Sequence, residues 1–470
     1  MTKTGEIGAD SAARSSLDLA LAAARRELEA LRTNSGGGSA FQYEVYLSRS
    51  AATQIASKDQ KVESLTRAED VGLSIRIKRQ NRVGFSFTTS LADDAIARAA
   101  RSALQVSEVM PEEPDLDLGG FDSAIPKLEG RFDEAGLAVP VEEKIAAAKE
   151  LERLVREADR RVQTVRSASL SESVYETVLA SHEGNVLRHR GTMFSASLAC
   201  KAEENGDAQM GYEYVFSPYM KKLDLAFCAK SGAESATELL GATKPASMKC
   251  PAVIRNDVVS DLLDFLAGSF AGDDIEKGKS LLQGKHGEKV FADFIDILDD
   301  GLLEGGLATR PFDAEGTASR TTKVVENGVF RGVLLDRKYA KRFKLAPTGN
   351  SSRGVKAPPG ISTTNFYLKP SDGKATRSLE DLIREVGDGI LITNLMGVHT
   401  ANAVTGNFSL GASGILIRGG KLAKPVKGFA VAGNVLHLFR DAKALGSDLR
   451  FFGATGAPSL LIPELAVSGD

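Results

Sequence analysis

No tryptophan, three cysteines and five histidines occur among 470 residues, and each shortage excludes something. With no tryptophan and 6% aromatics, platforms for stacking unpaired bases are not the obvious reading. Cys200, Cys228 and Cys250 are too few for a disulfide framework and contain no CxxC pair, which argues against a cysteine-rich zinc site. His182, His189, His286, His399 and His437 never fall three or four residues apart, so no two share a helical face as metal ligands would. No run reaches the ~18 apolar residues of a membrane span. Met1–Ser16 is polar and of mixed charge, without the apolar centre of a signal peptide. Charge of one sign is lacking too. Lys and Arg number 59 against 62 Asp and Glu, a net of −3, so direct nucleic-acid binding is not expected. The expectation is a soluble cytoplasmic protein.

What is there is a large apolar fraction, 42%, and clear periodicity. Leu17, Ala20, Leu21, Ala24, Leu28 and Leu31 recur at helical spacing, and Ser35–Ser39, with three glycines, breaks the run. Phe41 to Ser48 alternates as a half-buried strand, and 71–89 alternates as a hairpin about Gln80-Asn81. Ser90 is expected to cap a helix to about Val106, with Asp93 as an imperfect capping box. Residues 111–140 read as a surface loop, 141–159 as a helix, 162–216 as a β-meander and 224–241 as a helix. After Gly241-Ala242-Thr243-Lys244-Pro245 the texture changes. A helix over about 257–268, capped by Asn256, is followed by short strands between Gly, Asn, Asp and Pro. The fold expected is α+β in two domains. Residues 1–241 would form an α+β domain with an antiparallel sheet and long helices, and 242–470 a mainly β domain.

Familiar catalytic patterns fail on spacing. Five residues separate Gly272 from Gly278-Lys279-Ser280, where a phosphate loop needs four between its glycines, and Asp273, Asp274 and Glu276 would repel phosphate. Gly411-Ala412-Ser413-Gly414 is one residue short of a nucleophile elbow. His182-Glu183 lacks the second histidine of HExxH, since Val186 stands there, and reads as a solvated turn. His189, between Arg188 and Arg190, reads as a surface residue, and His437 as one at the edge of the core. One uncharged stretch, Gly397 to Gly414, gathers His399, Asn402, Thr405 and Asn407 with glycines at 397, 406, 411 and 414. Such a stretch admits a second backbone closely and offers donors and acceptors, or simply forms tight turns.

Here the sequence resembles a known family. Leu395-Met396-Gly397, Asn402, Val404 to Ser409 and Gly411 to Gly414 are similar to the C-terminal signature of the PmbA/TldD family. Arg310-Pro311-Phe312-Asp313-Ala314-Glu315-Gly316 resembles its pFDxEG element, Thr348-Gly349-Asn350 its TGN element, Ala432-Gly433-Asn434-Val435 its AGN element and Pro458-Ser459-Leu460 its terminal element. The hairpin Val71–Thr88 and the following helix fit as well, so the resemblance covers almost the whole chain. It implies a cytosolic metallopeptidase system that was first named for modulation of DNA gyrase. In that system a TldD-type subunit carries HExxxH and a distal cysteine, and a TldE/PmbA-type subunit lacks them.

Aligned on Gly272-Asp273, the two histidine positions fall on Leu263 and Gly268 and the glutamate position on Asp264. No cysteine follows Cys250. The resemblance therefore implies the TldE/PmbA-type subunit: no catalytic residue and no metal ligand of its own, and zinc in a TldD-type partner. The partner would be that subunit in a heterodimer, or a second copy in a homodimer, acting on small or unfolded peptides. His399, Asn402, Thr405, Asn407, Gly397 and Gly406 are the candidates for the peptide channel or subunit contact. Two alternatives are a regulatory protein acting on DNA gyrase or another partner, and a self-standing hydrolase using His399 with a carboxylate such as Asp313.

Overall fold

The computed structural model describes residues 5–34 and 41–470, with side chains over 16–33 and from 41 onward. The glycine-rich break at Ser35–Ser39 lies outside the described residues. In the N-terminal half run α1 (Gly5–Asn34), β1 (Gln42–Lys58), β2 (Lys61–Arg79), β3 (Arg82–Thr88), α2 (Asp93–Val109), α3 (Glu134–Leu137), α4 (Val141–Ala158), β4 (Val162–Ser181), β5 (Val186–Glu204), β6 (Asp207–Ser217) and α5 (Leu225–Thr237). The strands form one antiparallel sheet in the order β3-β2-β1-β4-β5-β6.

Alternation sorts the faces of this sheet. Val45, Leu47 and Ile55 of β1 and Leu170, Val178 and Ala180 of β4 lie beneath helices, α1 and α2 at one end and α4 and α5 at the other. Glu44 and Tyr46, one residue out of phase, face the C-terminal half. The second strand is longer than its apolar pattern, because 61–70 is exposed on both faces and carries no alternation. Its charged residues suit an unpaired edge.

The C-terminal half contains β7 (Met248–Ile254), α6 (Asn256–Ala267), α7 (Gly272–Glu276), β8 (Ile295–Asp300), β9 (Thr321–Glu326), β10 (Val329–Phe330), α8 (Arg337–Phe343), β11 (Ser351–Ser352), β12 (Gly360–Ile361), β13 (Asn365–Pro370), α9 (Leu379–Val386), β14 (Gly389–Met396), β15 (Asn407–Arg418), β16 (Lys421–Asn434), α10 (Val435–Arg440), β17 (Ala444–Leu445), β18 (Arg450–Phe452), β19 (Thr455–Ala457) and β20 (Leu460–Ser468). Strands β16-β15-β14-β7-β20 form a sheet that β16 and β20 close into a barrel, with β17 beside β20. A second sheet runs β10-β9-β8-β13-β19-β18. Ala252 and Ile254 join the main core with α6, whereas Val253 meets α9 on the other side. Architecture and fold class thus agree with the α+β expectation and its mainly β second half.

Two expected helix caps are corrected. Helix α2 starts after Ala92, with no side-chain cap; Ser90 Oγ instead accepts from Ala92 N at 3.4 Å, two residues too early. Helix α6 starts after Arg255, and Asn256 is already helical, its amide donating to Asp448 O at 2.9 Å. In both, an acidic first turn complements the helix dipole where a cap is missing.

Candidate functional site: the groove along helix α6

Helix α6 is amphipathic. Val259, Leu262, Leu263 and Leu266 are buried in the main core, while Asp261 and Asp264 are exposed. Asp261, Asp264 and Gly268, at spacings of three and four, fall in one stripe. A cavity of about 280 Å³ opens there, lined by Ser260, Asp261, Asp264, Ser362–Thr364, Phe452, Ala454 and Thr455. A second hollow of about 180 Å³ continues past it between Ala267, Gly268, Ala271, Leu334 and Ile361. The two share Ser362 and Thr363, so they form one groove with a polar end and an apolar end.

The polar end is held by its own hydrogen bonds. Thr455 Oγ1 donates to Asp264 Oδ1 at 2.9 Å, and Ser260 Oγ donates to Thr455 O at 3.2 Å. Thr364 N donates to Asp299 Oδ2 at 2.7 Å, which anchors the 362–364 wall to β8. Asp261 has no such partner among the described residues. Although the residue is open to solvent on one side, partial desolvation against the groove wall, with Asp257 and Asp264 nearby, pushes its carboxyl up to about 6. The flanking arginines are already paired: Arg255 with Asp257 (2.8 Å) and Glu238 (2.7 Å), Arg450 with Glu213 (2.6 Å). Both reach across to the N-terminal half.

The three aligned positions behave differently. Leu263 is fully buried in the core and aims away from the groove. Asp264 lines the groove with one oxygen engaged, and Gly268 lines it without a side chain. Zinc needs lone pairs from nitrogen, sulfur or oxygen in a tetrahedral set. Leucine and glycine supply none, so these residues do not fit an HExxxH centre. Among the described residues no three His, Cys, Asp or Glu side chains are grouped to hold a metal.

The candidate segment 397–414 lies beside the groove, where the turn at Val398–Thr400 packs on α6. His399, Asn402, Thr405 and Asn407 are exposed. Asn402 Oδ1 accepts from Val404 N and Thr405 N, both at 2.9 Å, and Asn407 Oδ1 accepts from Asn434 Nδ2 at 2.9 Å. Gly397 and Gly406 take positive φ, 81° and 75°, which only glycine adopts freely. A Cβ at Gly414 would come within 2.2 Å of Leu391 O, so that glycine serves a close approach inside the barrel wall.

His399 and Asp313 are not brought together by any hydrogen bond among the described residues. Asp313 is buried, and its oxygens accept from Glu315 N (2.9 Å), Thr317 N (2.9 Å) and Ser351 N (3.0 Å). His182-Glu183 is a turn, as expected, with Glu183 accepting from Gly120 N at 2.7 Å. The expectation for His189 is corrected. Its ring packs at a tilt against Tyr175, 5.6 Å between centroids, and burial together with Arg131 and Arg310 lowers it to about 4. Alternation along β5 turns it to the sheet face covered by the segment around Arg131 and by the C-terminal half.

The groove residues Asp261, Ser362–Thr364, Phe452 and Thr455 were missed from sequence. The acidic stripe Asp257, Asp261, Asp264 was visible, but nothing local joins α6 to segments 100 and 190 residues away.

A sheet layered with helices, a barrel and a helix-lined groove between segments far apart in sequence define the class of the molecule as α+β. Residues 43–107, 134–240 and 247–469 match, in order, domain 1, the central domain and the C-terminal domain of PmbA/TldA metallopeptidases, and the chain belongs to that family. It is 28% identical to metalloprotease PmbA of Escherichia coli O157:H7 over 91% of this chain and 92% of that one. It is 27% identical to a metalloprotease of Methanothermobacter thermautotrophicus, over 87% and 89%. Among solved structures, a proposed modulator of a DNA gyrase from Thermotoga maritima MSB8 superposes with a TM-score of 0.84 at 25% identity, over 95% of this chain and 99% of that one. TldE from Thermococcus kodakarensis shares the fold, with a TM-score of 0.79 at 21% identity, over 91% and 97%.

Proposed function

We propose that this chain is the non-catalytic subunit of a two-subunit metallopeptidase, which shapes a chamber where a TldD-type partner's zinc cleaves small or unfolded peptides. The observation that carries the reading is the chemistry of α6: Leu263 lies in the core and Gly268 has no side chain where the catalytic branch would hold histidines. A subunit without those lone pairs contributes by positioning peptide and partner. Residues 1–241 and 242–470 are taken as its two domains, the cytoplasm as its compartment, and the segment Gly397–Gly414 as lining the channel or the subunit contact beside α6. Relatives named metalloprotease support the peptidase system, and the likeness to TldE supports this branch of it. The gyrase reading has only the names of two solved relatives behind it.

The test is elemental analysis and peptide hydrolysis, on the chain alone and after addition of a TldD-type subunit. The expected result is far less than one zinc per chain, no hydrolysis alone, and hydrolysis by the pair. About one tightly held zinc per isolated chain, or hydrolysis by it, overturns the proposal.

A further inference from the structure

The groove joins two surfaces of opposite character. At one end two carboxylates and several hydroxyls line about 280 Å³. At the other, Ala267, Ala271, Leu334 and Ile361 line about 180 Å³ with little polarity besides the shared Ser362 and Thr363. Among the described residues Asp261 has no cation of its own, because Arg255 and Arg450 are bound to Asp257, Glu238 and Glu213. Asp264 keeps Oδ2 free, since Thr455 engages Oδ1. A Cβ at Gly268 would meet only Asp274 Oδ2, at 3.5 Å, so the passage between the ends is open. From Asp261 to Gly268 the helix rises about 10 Å, the length of roughly three residues of extended chain.

A ligand complementary to this groove carries a positive charge with three hydrogen-bond donors at one end and an apolar group a few ångströms away. We infer that the groove receives the α-ammonium end of a peptide, with Asp261 and Asp264 facing the ammonium and the hollow between Ala267 and Leu334 taking an apolar side chain. This rests on the reading of the chain as a peptide-handling subunit and names which end of the peptide it holds. A primary ammonium donates three hydrogen bonds and matches two carboxylates and a hydroxyl. The apolar hollow favours a chain terminus bearing an apolar residue over a polyamine. No bond is made or broken here; the groove orients.

The experiment is calorimetric titration of the full-length chain, alone and paired with a TldD-type subunit, with three probes: leucyl-alanyl-alanine, its N-acetylated form, and an N-acetylated peptide amide containing lysine. The expected result is binding of the first at least tenfold tighter than of either other. Asp261→Asn should remove most of that preference while leaving thermal melting unchanged, because the side chain makes no hydrogen bond among the described residues. Asp264→Asn, which keeps an acceptor for Thr455, should weaken the same probe.

Equal binding of free and acetylated peptides, no binding of any probe in either state, or an unaltered preference in Asp261→Asn overturns the inference. Binding of the lysine peptide as tightly as the free amine overturns the terminal-amine assignment. A preference retained by the chain alone, when no TldD-type subunit restores hydrolysis, upholds the subsite while the subunit reading fails. Hydrolysis by the pair without any amine preference does the reverse.

Discussion

Glu44, Arg76, Glu315 and Arg353 form a buried cluster joining the N-terminal sheet to the C-terminal half. Arg76 reaches Glu44 at 3.0 Å and Glu315 at 3.2 Å, and Arg353 also binds Glu44. Burial alone would raise the Glu44 pKa, but the Arg353 and Arg76 guanidiniums outweigh it and hold the carboxyl below its ordinary range. Glu44→Gln leaves two arginines facing one glutamate. It should destabilise the chain by about 3–5 kcal/mol, read as a lower midpoint in urea, and a second change, Arg353→Met, should restore part of the loss. At His189 the folded pKa is about 4 against an ordinary 6.5. The unfolded chain therefore takes up the proton first, and stability falls as pH drops from about 6.5 to about 4. Asp313 and Asp336, each raised to about 6 chiefly by burial, work in the opposite sense over the same range. The measurement is thus a comparison: wild type should lose about 3 kcal/mol more than His189→Gln between pH 7 and pH 4. Equal losses would show that the imidazole is not neutral when folded. Cys200 and Cys228, pushed up to about 11 and 12 by burial, stay thiols at neutral pH and are packing residues.

At the scale of elements, the motifs that carry the family resemblance mostly do structural work. Asn434 Oδ1 accepts from Leu436 N at 3.1 Å to cap α10, and its amide donates to Thr405 O at 2.7 Å. Asn350 Nδ2 donates to Asp299 Oδ1 at 3.0 Å, and Ser459 Oγ donates to Asp448 Oδ2 at 2.7 Å. In the turn after Gly397, Asn402 holds two backbone N–H groups, whereas His399 makes no hydrogen bond among the described residues. Asn402→Ala should lower stability by about 1 kcal/mol in thermal melting. His399→Ala should leave melting unchanged and reduce peptide hydrolysis by the reconstituted pair. Unchanged hydrolysis would remove this segment from the channel.

For the whole molecule, the two halves meet through paired charges: Arg76 with Glu315, Arg255 with Glu238, Arg450 with Glu213. This ties the start of α6 to the end of α5, and β18 to β6, so the groove's geometry depends on both halves. Light scattering should show a dimer, with a TldD-type subunit as the preferred partner and a homodimer as the form in its absence, since related subunits share an interface design. A monomer that does not associate when that subunit is added would contradict it.

Periodicity in the chain determined the helices, the meander, the hairpin and the change of texture near residue 241, because burial of one face is written into residues two or three to four apart. Ordered motifs were enough to imply the family, and Leu263, Asp264 and Gly268, in and just after one helix, are the residues on which the proposed assignment to the branch without zinc rests. Only the tertiary structure decided that β16 closes on β20, that Glu44 and His189 face the second half rather than water, and that Asp261 shares a cavity with Thr363 and Thr455. Each of these is a contact between segments tens to hundreds of residues apart, which local pattern cannot encode. The exposed half of β2 was illegible for a related reason: a strand with no buried face carries no alternation to read.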